Sequence, residues 1–233
     1  MAELTYRSVA DKVLLVLSRP GRGYLVLLGL CVALVAAAGL TWAYQVREGI
    51  GVTVMNNPVG WGLYITCFVF WVGIAHSGTA ISAILFLVRA RWRTSIFRTA
   101  EAMTLFAVAT AGLFPIIHIG RLWRFYYLLP YPNQRDLWPN FKSPLAWDMV
   151  AISTYLTISA TFLYIGMIPD LAVIRDRTKN KWLKLFYGLL SMGWRGSDQE
   201  WRNYLKAYII FAGLATPLVL SVHSVVSWDF AVS

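Results

Sequence analysis

The sequence predicts an all-α, polytopic transmembrane protein with five apolar segments long enough to cross a bilayer as helices. Three observations carry this. Of 233 residues, 58% are hydrophobic and only 14% charged, whereas a soluble domain carries about 25% charged residues. Mean hydropathy is +0.57. The few charges fall in clusters, which leaves apolar stretches of more than about 18 residues between them. Length alone would fit one or two soluble domains, but the spacing of the apolar blocks predicts one helical membrane domain.

Residues 1–22 mix Arg7, Lys12, Arg19 and Arg22 with leucines and valines at near-helical spacing. That pattern predicts an amphipathic segment on the inner membrane surface, ended by Pro20-Gly21. The first span is expected over 23–46; its apolar run exceeds the roughly 7–15 residues of a signal peptide core, so it is read as a retained helix. The second, about Gly60–Val88, begins at the turn Asn57-Pro58-Val59-Gly60 and the interfacial Trp61. The third, about Ala100–Gly120, contains Pro115, expected to kink its far end. An aromatic and proline-rich loop, Arg121–Pro144, leads to the fourth span, about Leu145–Ile174. Near 179–194, Trp182, Leu185, Phe186 and Leu189 recur at i, i+3, i+4, i+7 beside Lys181 and Lys184, the signature of a second surface helix. The fifth span is expected over about Tyr204–Phe230. The chain stops soon after it, at Ser233, so the sequence reads as the N-terminal part of a longer protein.

The net charge of +10 is a possible mark of nucleic-acid binding, but the cations sit beside the spans and not on a separate polar face. With the N-terminus inside, residues 1–22, 89–98 and 175–206 hold 16 of the 21 Lys and Arg. The outer loops hold five: Arg47, Arg121, Arg124, Arg135 and Lys142. The positive-inside rule therefore predicts a multi-pass protein with a cytoplasmic N-terminus and no nucleic-acid partner. Cys31 and Cys67 both lie in apolar spans, far apart and without a Cys-x-x-Cys or Cys/His cluster. No metal, iron–sulfur or haem group is expected to be held by this chain, and the two thiols read as small packing residues.

Ionisable residues inside spans cost about 2.5–3.5 kcal/mol each on insertion scales and mark candidate sites. His76 lies in span two, His118 in span three, Asp148 and Asp170 in span four, and His223 and Asp229 in span five. In the predicted orientation, His118, Asp148 and Asp229 converge near the outer surface, His76 lies near mid-membrane and Asp170 near the inner face. Each has a plainer reading. Asp148 and Asp229 follow Trp147 and Trp228 and fit markers of the water interface. His118 fits a partner for a carbonyl freed by Pro115. His76, among Ser77, Thr79 and Ser82, fits inter-helix hydrogen bonding, and His223 a structural hydrogen bond. Asp148 and Asp170 are 22 residues apart, about 33 Å of helix, and lie within about 40° of one face. Tyr155, Ser159 and Gly166 share that stripe, which reads either as a proton path or as a helix–helix seam.

Chemistry that needs a histidine and an aspartate at a membrane surface includes quinol oxidation. A neutral histidine accepts a hydrogen bond from one hydroxyl and a carboxylate takes a proton. The two electrons need an acceptor that this chain has no motif to hold.

Several stretches resemble the NrfD/PsrC-type quinone-interacting membrane subunits. They are Asn57-Pro58-Val59-Gly60-Trp61-Gly62, Ile74-Ala75-His76-Ser77-Gly78-Thr79, Trp92-Arg93-Thr94-Ser95-Ile96, Phe114-Pro115-Ile116-Ile117-His118-Ile119-Gly120-Arg121 and Asn140–Asp148. Within that family they are most similar to the ActC-type subunits of alternative complex III, and the likeness spans about 56–230. It implies a four-helix bundle over 56–230 flanked by the first span, within a protein of two such bundles in a bacterial inner membrane. It further implies a quinol or menaquinol substrate at the outer face, with His118 and Asp148 as the catalytic pair and Arg121 and Asp229 beside them. His76, Tyr155, Ser159 and Asp170 are the implied proton path. Implied partners are an iron–sulfur subunit outside the membrane, docked near Arg121, Arg124 and the following loop, and other membrane subunits of a respiratory or photosynthetic electron-transfer complex. Two other functions fit the residues alone: a cytochrome b-type haem anchor using His118 and His223, and a non-redox transport or scaffold subunit.

Overall fold

A computed structural model describes residue 8 and residues 20–53, 62–129, 131–132, 135 and 143–232. The predicted surface segment 1–22, the Asn57–Trp61 turn and most of the loop before Ser143 lie outside them. The described residues are helical, with no strand, and five helices are long and apolar enough to cross a membrane. The chain divides into two compact units, 1–47 and 48–233. The first contains helix α1 (Arg22–Glu48), 27 residues whose leucines and valines are exposed along its length.

In the second unit, α2 (Leu63–Leu87), α3 (Phe97–His118), α4 (Pro144–Arg177), the short α5 (Lys181–Leu190) and α6 (Asp198–Val232) follow in order. Helix α2 packs most extensively on α3, α4 on α6 and α3 on α4, and α6 closes the ring against α2. The result is a four-helix bundle. Its core holds Phe68, Val72 and Ala75 of α2, Ala107, Val108 and Ala111 of α3, Ile152 and Tyr155 of α4, and Val222 and Val226 of α6. A second cluster joins Ala83, Phe162, Tyr208, Ala212 and Ala215. Lipid supplies no hydrophobic drive between helices, so small residues that permit close packing dominate such seams.

The helices overrun the predicted spans because hydropathy detects only their apolar turns. Helix α6 starts six residues before Tyr204, at a capping box: Ser197 Oγ accepts from Glu200 N at 3.3 Å, and Glu200 Oε2 accepts from Ser197 N at 2.8 Å. Pro144 opens α4 at a position where its missing N–H costs nothing. Pro115 lies inside α3, three residues from its last residue, His118. Helix α5 is capped by Asn180, whose side chain accepts from Trp182 N at 2.9 Å. Its predicted apolar stripe, Trp182, Leu185, Phe186 and Leu189, is exposed. Tyr164, which donates to Leu190 O at 2.7 Å, and Arg175, which donates to Trp194 O at 2.9 Å, tie the segment to α4.

One feature was invisible in the hydropathy. Residues Ala80–Ile84 of α2 form a wide π turn, which rotates every later side chain relative to a regular helix. Just before it, Gly78 gives α2 and α3 their closest approach: a Cβ there would meet Thr104 Oγ1 and lie 2.8 Å from Ala100 O. Gly78→Ala is therefore expected to force the helices apart and cost about 1–3 kcal/mol. Thermal loss of helical signal in detergent is the measurement; an unchanged midpoint would show the seam to be looser than this.

Candidate functional site

At one end of the bundle, three helices enclose an open pocket of about 270 Å³. The first turns of α2 supply Tyr64, Ile65 and Phe68, the last turns of α3 supply Phe114, Pro115 and His118, and the first turn of α4 supplies Asp148. Antiparallel neighbours explain the meeting: α3 ends and α4 begins at the same depth, so residues far apart in sequence share one wall. Asp148 is buried, 2% exposed, and His118 is half-buried. The rings of Trp147 and Trp228, 5.9 Å apart and nearly perpendicular, bring the start of α4 to the end of α6. Asp229 follows Trp228 on that helix, and its side chain lies outside the described residues. Arg121 is exposed and does not line the pocket among the described residues. It precedes the 3-10 turn Leu122–Leu128, whose Trp123, Phe125, Tyr126 and Tyr127 are exposed. Largely aromatic walls with two convergent polar groups are what a flat, mostly apolar ligand needs.

Deeper in the bundle lies a second group. The ring of His76 stands 5.7 Å from Tyr155 and 5.5 Å from His223. The Tyr155 hydroxyl shares a 2.6 Å hydrogen bond with Thr79 Oγ1, and His76 Nε2 is buried with no hydrogen-bond partner among the described residues. His223, which the sequence pairs with His118 in the haem reading, instead faces His76 and does not line the His118 pocket. The stripe on α4 is buried at Asp148, Tyr155, Ser159 and Gly166 and emerges at Asp170, which is exposed. Among the described residues, no three His, Cys, Asp or Glu side chains are placed to hold a metal ion.

The far end contains a residue absent from the sequence candidates. Glu101 is 2% exposed. Tyr208 of α6 donates to its Oε1, and Arg98 donates to its Oε2 at 3.3 Å. Arg98 also donates to Gly166 O and lies 3.5 Å from Asp170 Oδ2. Beside Glu101 a small cavity is lined by Thr79, Ser82, Thr104 and Ser159. In sequence Glu101 stands one residue inside the third span, three after Arg98, where a charged pair normally marks the water's edge. The signal that distinguishes it is the helical face it shares with Thr104, three residues on.

The comparisons with known proteins bear on this arrangement. The family model described as polysulphide reductase, NrfD, matches residues 51–232, which takes in the whole bundle. The chain is 28% identical over 212 residues to a protein of Halobacterium salinarum whose name makes it the putative C-type membrane subunit of a dimethyl sulfoxide reductase. That match covers 91% of this chain and 43% of the relative, so the chain spans less than half the length of the curated relative it matches.

Proposed function

The chain is an integral membrane protein of the NrfD family, and from that premise we propose that it is the quinol-oxidising membrane subunit of an electron-transfer complex. The observation that carries this reading is the aromatic-walled pocket into which two helices bring His118 and Asp148. A quinol headgroup is flat and apolar with a hydroxyl at each end, and becomes a quinone by losing two protons and two electrons. His118 accepts a hydrogen bond from one hydroxyl and holds the ring, and Asp148 takes the proton of the other. Phe68, Phe114 and Tyr64 enclose the ring. Asp229 and Arg121 border the same end of the bundle and bind at its rim. The electrons pass to an iron–sulfur cluster in a partner subunit outside the membrane. The exposed Arg121, Arg124 and aromatic turn after α3 form the docking surface, where Arg pairs with carboxylates. The relative's name, a membrane subunit of a reductase, supports a place in a multi-subunit redox complex. The likeness to ActC-type subunits favours menaquinol oxidation over quinone reduction.

The distribution of Lys and Arg supports a cytoplasmic N-terminus in a bacterial inner membrane, with the His118–Asp148 pocket at the outer face. Protons then move between that pocket and the inner side by way of His76, Tyr155, Ser159 and Asp170. Photoaffinity labelling with an azido-quinone tests the site: cross-links are expected on the Tyr64–Phe68 and Phe114–His118 peptides and to be lost on competition with menaquinol. Cross-links confined to other helices would move the site. In the same membranes, a cysteine introduced at position 133 should react with an impermeant maleimide from the outer side; reaction from the cytoplasmic side alone would invert the orientation.

A further inference from the structure

Glu101 has no part in the quinol pocket, yet it is the most enclosed carboxylate outside that pocket among the described residues. It lies 17 residues before His118 on α3, about 25 Å along the axis, and so towards the opposite membrane face. An ionisable group inside a membrane bundle is a candidate for an ion or proton pathway, and three features of this one go beyond a helix tie. First, it borders the cavity lined by Thr79, Ser82, Thr104 and Ser159, hydroxyls that each donate and accept. Second, that cavity reaches the His76 group, since Thr79 is bonded to Tyr155 and Tyr155 lies beside His76. Third, on its other side a single guanidinium, Arg98, separates it from Asp170, whose side chain is 65% exposed. Arg98 reaches this position because residue 166 is glycine: a Cβ there would collide with Arg98 Nη1.

We propose that Glu101 is the proton-exchanging carboxyl at the inner end of the bundle and that Arg98 gates its exchange with Asp170. A proton arriving along the hydroxyls neutralises Glu101 and dissolves its ion pair with Arg98. Arg98 then pairs with Asp170 alone, and the proton leaves Glu101 for water at that surface as Arg98 returns. No electron or further reactant is needed. The groups that face Glu101 and set its behaviour are Arg93 and Arg98 on its own side, Asp170 of α4, and Tyr204 and Tyr208 of α6. The proposal rests on the reading that protons cross this bundle during quinol turnover.

The test uses membranes containing the intact complex. Glu101→Gln should keep at least half of the quinol oxidation rate while proton release per electron falls at least twofold; Glu101→Asp should restore much of it. An infrared difference spectrum across a pH step, recorded without quinol, should show a protonated-carboxyl band that disappears in Glu101→Gln and shifts in Glu101→Asp. Unchanged proton stoichiometry, or a band that survives in Glu101→Gln, would reduce the cluster to a structural ion pair. Where Glu101→Gln fails to assemble, Tyr208→Phe keeps the ring and removes one hydrogen bond; an unshifted band in that variant would equally overturn the proposal. The infrared result does not depend on quinol, so failure of the quinol reading, seen as Asp148→Asn oxidising quinol at the wild-type rate, is a separate outcome.

Discussion

Asp148→Asn is expected to lower quinol oxidation by about 10²-fold or more, the low end of what a positioned general base contributes. Asparagine keeps the size and hydrogen-bonding reach of the side chain but cannot take a proton. Asp148 is buried at the start of α4, where the pocket walls leave few other bases in reach. The loss should fall on turnover and not on binding, because the proton moves only as the headgroup is oxidised. Steady-state oxidation in assembled complexes, with quinone-analogue binding measured alongside, separates the two. Wild-type turnover in this variant would remove Asp148 from the site.

His118→Ala should behave differently. The histidine is the positioning contact, so turnover and inhibitor affinity should fall together, each by about 10-fold, the worth of one hydrogen bond near 1.5 kcal/mol. His118 occupies the last turn of α3, beyond Pro115, and its removal leaves the core cluster of the bundle intact. Assembly of the partner subunits should therefore survive. The check is an inhibitor titration of purified variant complexes against wild type. A variant that binds the analogue normally would show that His118 does not hold the ring.

These two expectations were already legible in one dimension, because both residues sit about one turn from a helix end and depth follows from counting residues along a span. Depth is a local property, and a rise of about 1.5 Å per residue is reliable over a single helix. Direction is not. The stripe from Asp148 to Asp170 holds its buried course through Tyr155, Ser159 and Gly166, but it leaves the interior at Asp170. The π turn at Ala80–Ile84 rotates the later part of α2, so a regular spacing of about 100° per residue could not say what Ser82 would face. His223, paired with His118 on depth alone, turned out to face His76.

By itself, the sequence determined that this chain carries five membrane-crossing segments, that a surface helix lies between the last two, and that His118 and Asp148 share a level. Those follow from the cost of exposing polar groups to lipid, which acts residue by residue and is written in composition and spacing. Only the tertiary structure decided which side chains meet: the pocket walls contributed by α2, the His76–Tyr155–Thr79 group, and Glu101 held between Tyr208 and Arg98. The physical reason is that burial of a charge depends on partners from other helices. A carboxylate at the start of a span looks the same in sequence whether water or a tyrosine 107 positions away completes its hydrogen bonds.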